Sequence, residues 1–281
     1  MTELTRVSAL DSYLTLLKQA LTASIYPESS FHIRECSERM TINSIACRAV
    51  LRFLAMFGYG LIKCDKFDPD KRAVGVDWPL FGYTMIGLKR LDNVQYAIET
   101  SIKEGIPGDI VECGVWRGGC TIFMRAILKV NGVTDRTVWA LDSFEGMPKP
   151  KPSLFAADKG KGYDLSFSKY LSVSLEGVKQ SFAQFGLLDD QVKFIKGWFR
   201  DTLPAAPIRR IAVLRADGDL YESTIQILDN LYDKVSPGGF VIIDDYGAWP
   251  PCRKAVEDFR RKRNIHAALE QIDWSGVYWR V

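Results

Sequence analysis

Two kinds of hydrophobic pattern divide the chain. Up to about residue 105, apolar positions recur at helical spacing. Leu10 to Leu21, Ile42 to Ile62 and Arg90 to Glu104 each predict a helix. The run from Lys63 to Trp78, with Asp, Pro, Gly and Lys, predicts a loop. From Pro107 onward, short apolar runs alternate with helical patterns. Asp109–Glu112, Thr137–Asp142, Val192–Lys196, Arg210–Ala216 and Phe240–Ile243 predict strands. Cys120–Val130, Leu175–Phe185, Glu222–Val235 and Arg253–Arg263 predict the helices between and after them, and Pro237-Gly238-Gly239 is expected to end the third of these units. Ala267–Ile272 and Gly276–Arg280 predict a closing hairpin.

Strands alternating with helices imply an open, doubly wound, mostly parallel sheet. With the hairpin it has seven strands, one added antiparallel. The expected organisation is a helical N-terminal extension over residues 1–105 and a ligand-binding α/β unit over residues 106–281. In such a sheet, ligands sit at the carboxyl ends of the strands, where strand order reverses.

Composition narrows the classes. Hydrophobic residues are 47% and charged residues 25% of the 281, which fits a globular protein with a real core. Net charge is +3, without the concentrated basic face that nucleic acid requires. The cluster Arg260 to Arg263 is expected on a solvated helix face. The most apolar segment, Ile45 to Ile62, is broken by Arg48 and Arg52, which argues against a membrane span. Six cysteines without C-x-x-C spacing, and only His32 and His266, argue against structural zinc and a disulfide framework. The expected location is a reducing cytoplasm.

Candidate chemistry falls at the predicted strand ends. Glu112-Cys113-Gly114-Val115-Trp116-Arg117-Gly118-Gly119 follows the first strand of the sheet. It is not the dinucleotide pattern G-x-G-x-x-G. An acid followed by a glycine turn suits a ligand with a cationic amino group, such as the amino-acid end of S-adenosylmethionine; a plain strand-to-helix turn is the alternative. Asp142, ending the next strand, is placed to accept ribose hydroxyls, or to cap a turn. Ser143-Phe144-Glu145-Gly146 follows it as a turn able to shape an adenosine pocket. Gly197-Trp198 follows the third strand, where adenine would lie, although Trp198 also fits a core position.

The fourth strand ends in Arg215-Ala216-Asp217-Gly218-Asp219 and the fifth in Asp244-Asp245-Tyr246. Neighbouring strands lie ~4.8 Å apart, so four carboxylates would repel strongly. Protonation of one, or a bound cation, would offset that repulsion; helix caps are the alternative use of single aspartates. Oxygen-only ligation favours a hard ion, Mg²⁺ first. Asp217, Asp244 and Asp245 are the expected ligands. Asp219, across a glycine, is the candidate base for an acceptor hydroxyl.

Several segments together resemble the macrocin O-methyltransferase family, metal-dependent enzymes that methylate sugar hydroxyls of antibiotics. They are Asp77-Trp78-Pro79, Thr84-Met85-Ile86-Gly87 with Leu88 to Asn93, Glu112 to Gly119, Asp142 to Gly146, Asp217-Gly218-Asp219-Leu220-Tyr221-Glu222-Ser223-Thr224, and Ser236 to Gly239 leading to Asp244-Asp245-Tyr246. The resemblance covers residues 75 to 280. It implies the class I methyltransferase (Rossmann-like) fold, S-adenosylmethionine as donor, and Mg²⁺ held by Asp217, Asp244 and Asp245. It also implies that Thr84 and Met85 help close over the cofactor, whereas their sequence alone equally suits the start of a packed helix. Assembly into homo-oligomers through N-terminal segments is implied too.

Three functions are weighed: methylation of a sugar hydroxyl on a glycosylated natural product, methylation of a phenol or catechol, and S-adenosylmethionine binding without catalysis. Four retained, mutually repelling carboxylates argue against the last.

Overall fold

The computed structural model describes residues 3–25, 30, 31, 56, 66–160 and 162–281. The helix expected over Ile42 to Ile62 lies outside the described residues except for Met56, and so do His32, Cys36, Cys47 and Cys64. Helix α1 (Glu3–Leu21) buries Leu14, Leu17 and Leu21, a stripe at helical spacing. Strand β1 (Ser30–Phe31) pairs with β2 (Trp78–Pro79). Between them, a short helix α2 (Pro69–Val74) replaces the expected loop. Its signals are punctuation rather than periodicity. Asp68 caps it by accepting from the backbone N–H groups of Asp70 and Lys71, Pro69 opens it, and Gly75 at φ 65° closes it.

Helix α3 (Leu88–Lys103) leads to the sheet. The alternation then runs β3 (Asp109–Cys113), α4 (Gly119–Val130), β4 (Val138–Asp142), α5 (Leu175–Gln184), β5 (Val192–Lys196), α6 (Phe199–Thr202), β6 (Ile211–Ala216), α7 (Tyr221–Leu231), β7 (Val235–Ile243), α8 (Pro250–Lys262), β8 (Glu270–Gln271) and β9 (Val277–Arg280). The seven-stranded sheet has the order β5-β4-β3-β6-β7-β9-β8. Pairs from β5 to β7 are parallel, and β9 is antiparallel to both β7 and β8. The expected doubly wound, mostly parallel sheet with a closing hairpin is present.

Helix α7 is shorter than expected, and Pro237-Gly238-Gly239 lies inside β7 rather than before it. The register shift between Ile211↔Val235 and Val213↔Phe240 accommodates these residues as an irregularity in the ladder.

Alternate residues of the strands feed two cores, one on each face. One joins Ile110, Val138 and Phe240 to α3, α4 and α1. The other joins Val111, Leu141 and Leu214 to α7 and α8. Residues of α1 and α3 thus share a core with the sheet, and the expected division at 105/106 does not coincide with a break in packing. Among the described residues, no helix is long and apolar enough to cross a membrane. Arg261 to Arg263 are exposed as expected, while Arg260 packs over the Trp279 ring.

The N-terminal elements are tied by a buried ion pair. Arg72 donates through Nε to both oxygens of Asp77 (3.0 and 2.8 Å) and through a terminal nitrogen to the Thr22 carbonyl (2.9 Å) at the end of α1. Breaking a buried pair strands a charge in the interior, so Asp77→Ala is expected to cost about 3–5 kcal/mol. Urea unfolding checks this; a loss below about 1 kcal/mol, the range of exposed pairs, contradicts it.

Candidate active site

Strand ends at one edge of the sheet line up in register. Cys113 pairs with Leu141 and Ala216, and Ala216 pairs with Ile243. The ladder continues one residue further: Gly114 N–H donates to Leu141, Asp217 N–H to Cys113, Asp244 N–H to Ala216 and Gly197 N–H to Asp142. These bonds set Gly197, Asp142, Gly114, Asp217 and Asp244 side by side. A cavity of about 230 Å³ runs along them. It crosses the gap between β3 and β6, where strand order reverses.

Three non-glycine residues in the loops at this edge have left-handed backbone: Trp116 (φ 49°), Phe144 (φ 55°) and Asp219 (φ 51°). Each follows a different strand. Such conformations cost about 1–3 kcal/mol each and concentrate at functional sites.

Most of the expected cofactor residues line the cavity: Thr84, Met85, Glu112, Gly114, Trp116, Asp142, Ser143, Trp198 and Asp217. Gly118, Gly119 and Gly197 do not; they shape turns. A Cβ on Gly119 would run into the Tyr83 carbonyl that its own N–H meets at 2.9 Å. On Gly114 it would collide with the Asp217 carbonyl. These close approaches are between protein segments. Thr84 and Met85 precede α3 as irregular chain.

Asp142 accepts short bonds from the backbone N–H of Val115 (2.7 Å) and Phe144 (2.7 Å), and longer ones from Trp116 N–H (3.4 Å) and the Ser143 hydroxyl (3.3 Å). Burial raises its pKa against the pull of these bonds. Glu112, expected to meet a cationic ligand, already has a cationic partner. It accepts from Arg215 (2.5 Å) and from the Thr121 hydroxyl. Burial raises its pKa.

Asp217, Asp244 and Asp245 each offer one oxygen within 4.8 Å of the others. Asp219 lines the same cavity and donates its backbone N–H to Asp245 (3.2 Å). The sequence reading left the repulsion to protons or a cation, and missed two arginines. Arg215, 1% exposed, contacts Glu112, Asp217 (3.0 Å) and Asp244. Arg90, 5% exposed, contacts Asp244 and Asp273 (3.0 Å). Both had a signal in the sequence. Arg215 is the lone charge in the strand Ile-Ala-Val-Leu-Arg-Ala, and Arg90 falls on the buried side of α3 beside Leu91 and Val94.

Two guanidinium groups do not balance six carboxylates: Glu112, Asp217, Asp219, Asp244, Asp245 and Asp273. Burial pushes Asp244 up, but Arg215 and Arg90 outweigh it and hold its pKa below the usual carboxylate range. Burial and the charge of Asp244 push Asp217 up to about 6, against Arg215. Burial and neighbouring carboxylates raise Asp219 and Asp245 well above their ordinary values. The excess negative charge and all-oxygen donor set fit a hard divalent cation.

Between β4 and α5, Met147, Pro148, Leu165 and Leu171 also line the cavity. The Tyr170 ring stacks on Trp78 at 5.6 Å, and its hydroxyl donates to the Pro79 carbonyl (2.5 Å). Asp158, 1% exposed, accepts from the N–H groups of Tyr221 (2.7 Å) and Glu222 (3.1 Å). It thereby caps α7, whose own preceding residue, Leu220, has no capping side chain. Sequence spacing carries no sign of this 63-residue reach.

A family model described as Macrocin-O-methyltransferase (TylF) matches residues 10–281. The chain belongs to the macrocin-O-methyltransferase family. By that membership it is an O-methyltransferase, with S-adenosylmethionine implied as methyl donor. It is 54% identical over 213 residues to the 8-demethyl-8-(2,3-dimethoxy-alpha-L-rhamnosyl)-tetracenomycin-C 4'-O-methyltransferase of Streptomyces olivaceus, covering 76% of this chain and 81% of that one. It is 47% identical over 226 residues to the mycinamicin III 3''-O-methyltransferase of Micromonospora griseorubida, covering 79% and 87%. The solved structure of the O-methyltransferase NovP superposes with a TM-score of 0.82 at 42% identity, covering 96% of this chain and 98% of that one.

The carboxylate cluster has a pH signature. A pKa raised by folding means that the folded chain binds more protons than the unfolded one, so its stability falls as pH rises through that window. Chelated protein is therefore expected to gain thermal stability as pH drops from 7 toward about 5, with Asp217→Asn flattening the gain. Melting curves in a chelating buffer check this; a melting temperature that falls over the same range contradicts it.

Proposed function

We propose that this chain methylates a sugar hydroxyl on a glycosylated natural product, using S-adenosylmethionine and a divalent cation, Mg²⁺ first. The observation that carries the reading is the three-carboxylate cluster at the ends of β6 and β7, in the same cavity as the strand ends that suit a nucleoside. The relatives support the acceptor class: the Streptomyces olivaceus enzyme is named for a rhamnosyl-tetracenomycin.

Asp217, Asp244 and Asp245 would hold the cation. When bound, it supplies Lewis acidity that lowers the pKa of an alcohol oxygen. Arg215 and Arg90 orient Asp244 and keep it anionic. Asp219 stands outside the trio and accepts the hydroxyl proton. Burial first, and then the charges of Asp217 and Asp244, raise its pKa; a bound cation would offset the second of these. Asp142 keeps its two short backbone bonds, while its two long contacts yield to ribose hydroxyls. Trp198 and Ser143 line the adenosine end, and the turn from Gly114 to Trp116, backed by Glu112 and Arg215, receives the amino-acid end. Thr84 and Met85 close one wall. Met147, Pro148, Leu165 and Leu171 would limit water at the reacting atoms.

A second reading keeps a foothold. Five of the seven tryptophans line the cavity, a surface that also suits a flat phenol. Mass spectrometry of products from a rhamnoside and a catechol offered together separates the two.

Asp219→Asn is expected to bind S-adenosylhomocysteine and Mg²⁺ as the original does while turnover falls about 10²–10⁴-fold. An unchanged rate removes the base assignment. Asp142→Ala is expected to weaken S-adenosylhomocysteine about tenfold by calorimetry, the loss of roughly one charge-assisted bond; unchanged affinity removes the ribose role.

A further inference from the structure

The strand ends act as a ruler. Read across the sheet, they carry Trp198 (β5), Asp142 (β4), Gly114 (β3), Asp217 (β6), Asp244 and Asp245 (β7), and then the turn entering β9. The nucleoside end of the cofactor belongs to the β5–β3 side, and the acids mark where chemistry happens. The cavity does not stop at the acids. It continues past β7, lined by Ala248, Trp249, Trp274 and Ser275.

Trp274 is unusual within this stretch. It is 46% exposed, yet its turn is rigidly built. Asp273 accepts from the N–H groups of Ser275 (2.9 Å) and Gly276 (2.8 Å), and it also takes the Nε of Arg90. The Ser275 hydroxyl donates to the carbonyl of Asp244 (2.7 Å), joining the turn to the acid strand. The indole N–H is spent on the Val74 carbonyl (2.8 Å), and the Arg90 guanidinium stands over the ring, 5.9 Å from its centroid. What remains of Trp274 is a fixed apolar ring surface without a free donor. Trp249 adds a second ring. Its backbone N–H donates to the Asp245 carbonyl (2.9 Å), and its indole packs on Tyr163 at 5.5 Å.

We propose that Trp274, with Trp249, forms the acceptor subsite, binding the C–H face of a hexopyranose so that one of its hydroxyls is presented to the acid cluster. The inference rests on the sugar reading above. An aromatic ring attracts polarised C–H groups through its negative face, and a pyranose has such a face and a hydroxyl rim. A 6-deoxyhexose, with a methyl in place of the exocyclic hydroxymethyl group, offers the larger apolar surface. A ring fixed in advance loses little freedom when the sugar docks.

The test uses the full chain with S-adenosylhomocysteine and Mg²⁺, and methyl α-L-rhamnoside as probe. Saturation-transfer NMR reads which sugar protons contact the protein. The ring C–H and methyl protons are expected to saturate strongly. Trp274→Ala is expected to lower that signal about tenfold, while Trp274→Phe, which keeps a ring but no N–H, retains most of it. S-adenosylhomocysteine affinity by calorimetry is expected to be unchanged in both. Undiminished saturation in Trp274→Ala overturns the subsite and leaves the sugar reading standing. A Phe variant that behaves as Ala does, with cofactor affinity lost, shows a structural role and also overturns it. So does a Trp274→Ala chain altered only in its mass in solution. If the original chain methylates 3,4-dihydroxybenzoate and neither saturates nor methylates the rhamnoside, the sugar reading itself falls and the subsite falls with it.

Discussion

The site depends on one buried guanidinium. Arg215 reaches Glu112 on β3, Asp217 at the end of β6 and Asp244 at the end of β7, three neighbouring strands. Removing it would leave buried carboxylates without their main counter-charge, a loss of several kcal/mol in comparable buried networks. Arg90 extends the same network to α3 and to the turn that carries Trp274. Packing and chemistry are therefore linked: the contacts that hold the N-terminal helices and the last hairpin to the sheet also aim Asp244.

The arginines leave the cluster incompletely neutralised. Had they balanced it, the acids would need no further partner. Instead Asp217, Asp219 and Asp245 are all raised by burial and by one another, while Asp244 alone is held low. Under the proposed function this imbalance would suit a cation: Asp244 is held low by its arginines, and added positive charge would lower the pKa values of the other three. Asp158 joins its own stretch of chain to α7, and Tyr170 stacks on Trp78; in the proposed function these contacts would hold cavity-lining residues such as Leu165 and Leu171 in place.

Much of this was legible because the fold turns sequence order into spatial order. Apolar runs such as Val192–Lys196 and the acids just past Ala216 and Ile243 had only one place to go in a parallel sheet, and register brought them together. The glycine turn was legible as a turn but not as to its neighbours: Gly114 and Gly119 make room for Asp217 and Tyr83, and nothing local says so. Contacts of long sequence separation were invisible for the same reason, as with Asp158 on α7 or Arg90 on Asp273. Helix α2 was missed because six residues are too few for periodicity, although Asp68, Pro69 and Gly75 marked both its ends. Trp116 and Trp198 were candidates for the cofactor end and do line the cavity, but Trp274 lines it too through a turn whose position in the fold no local pattern reveals.

The most direct test of the account is a calorimetric titration of Mg²⁺ into the full chain with S-adenosylhomocysteine bound, repeated with Asp245→Asn. The account predicts a single cation site in the original chain, at least tenfold weakened in the variant, about the loss of one charged ligand. Cofactor binding with no cation site, or a site indifferent to Asp245, would contradict it.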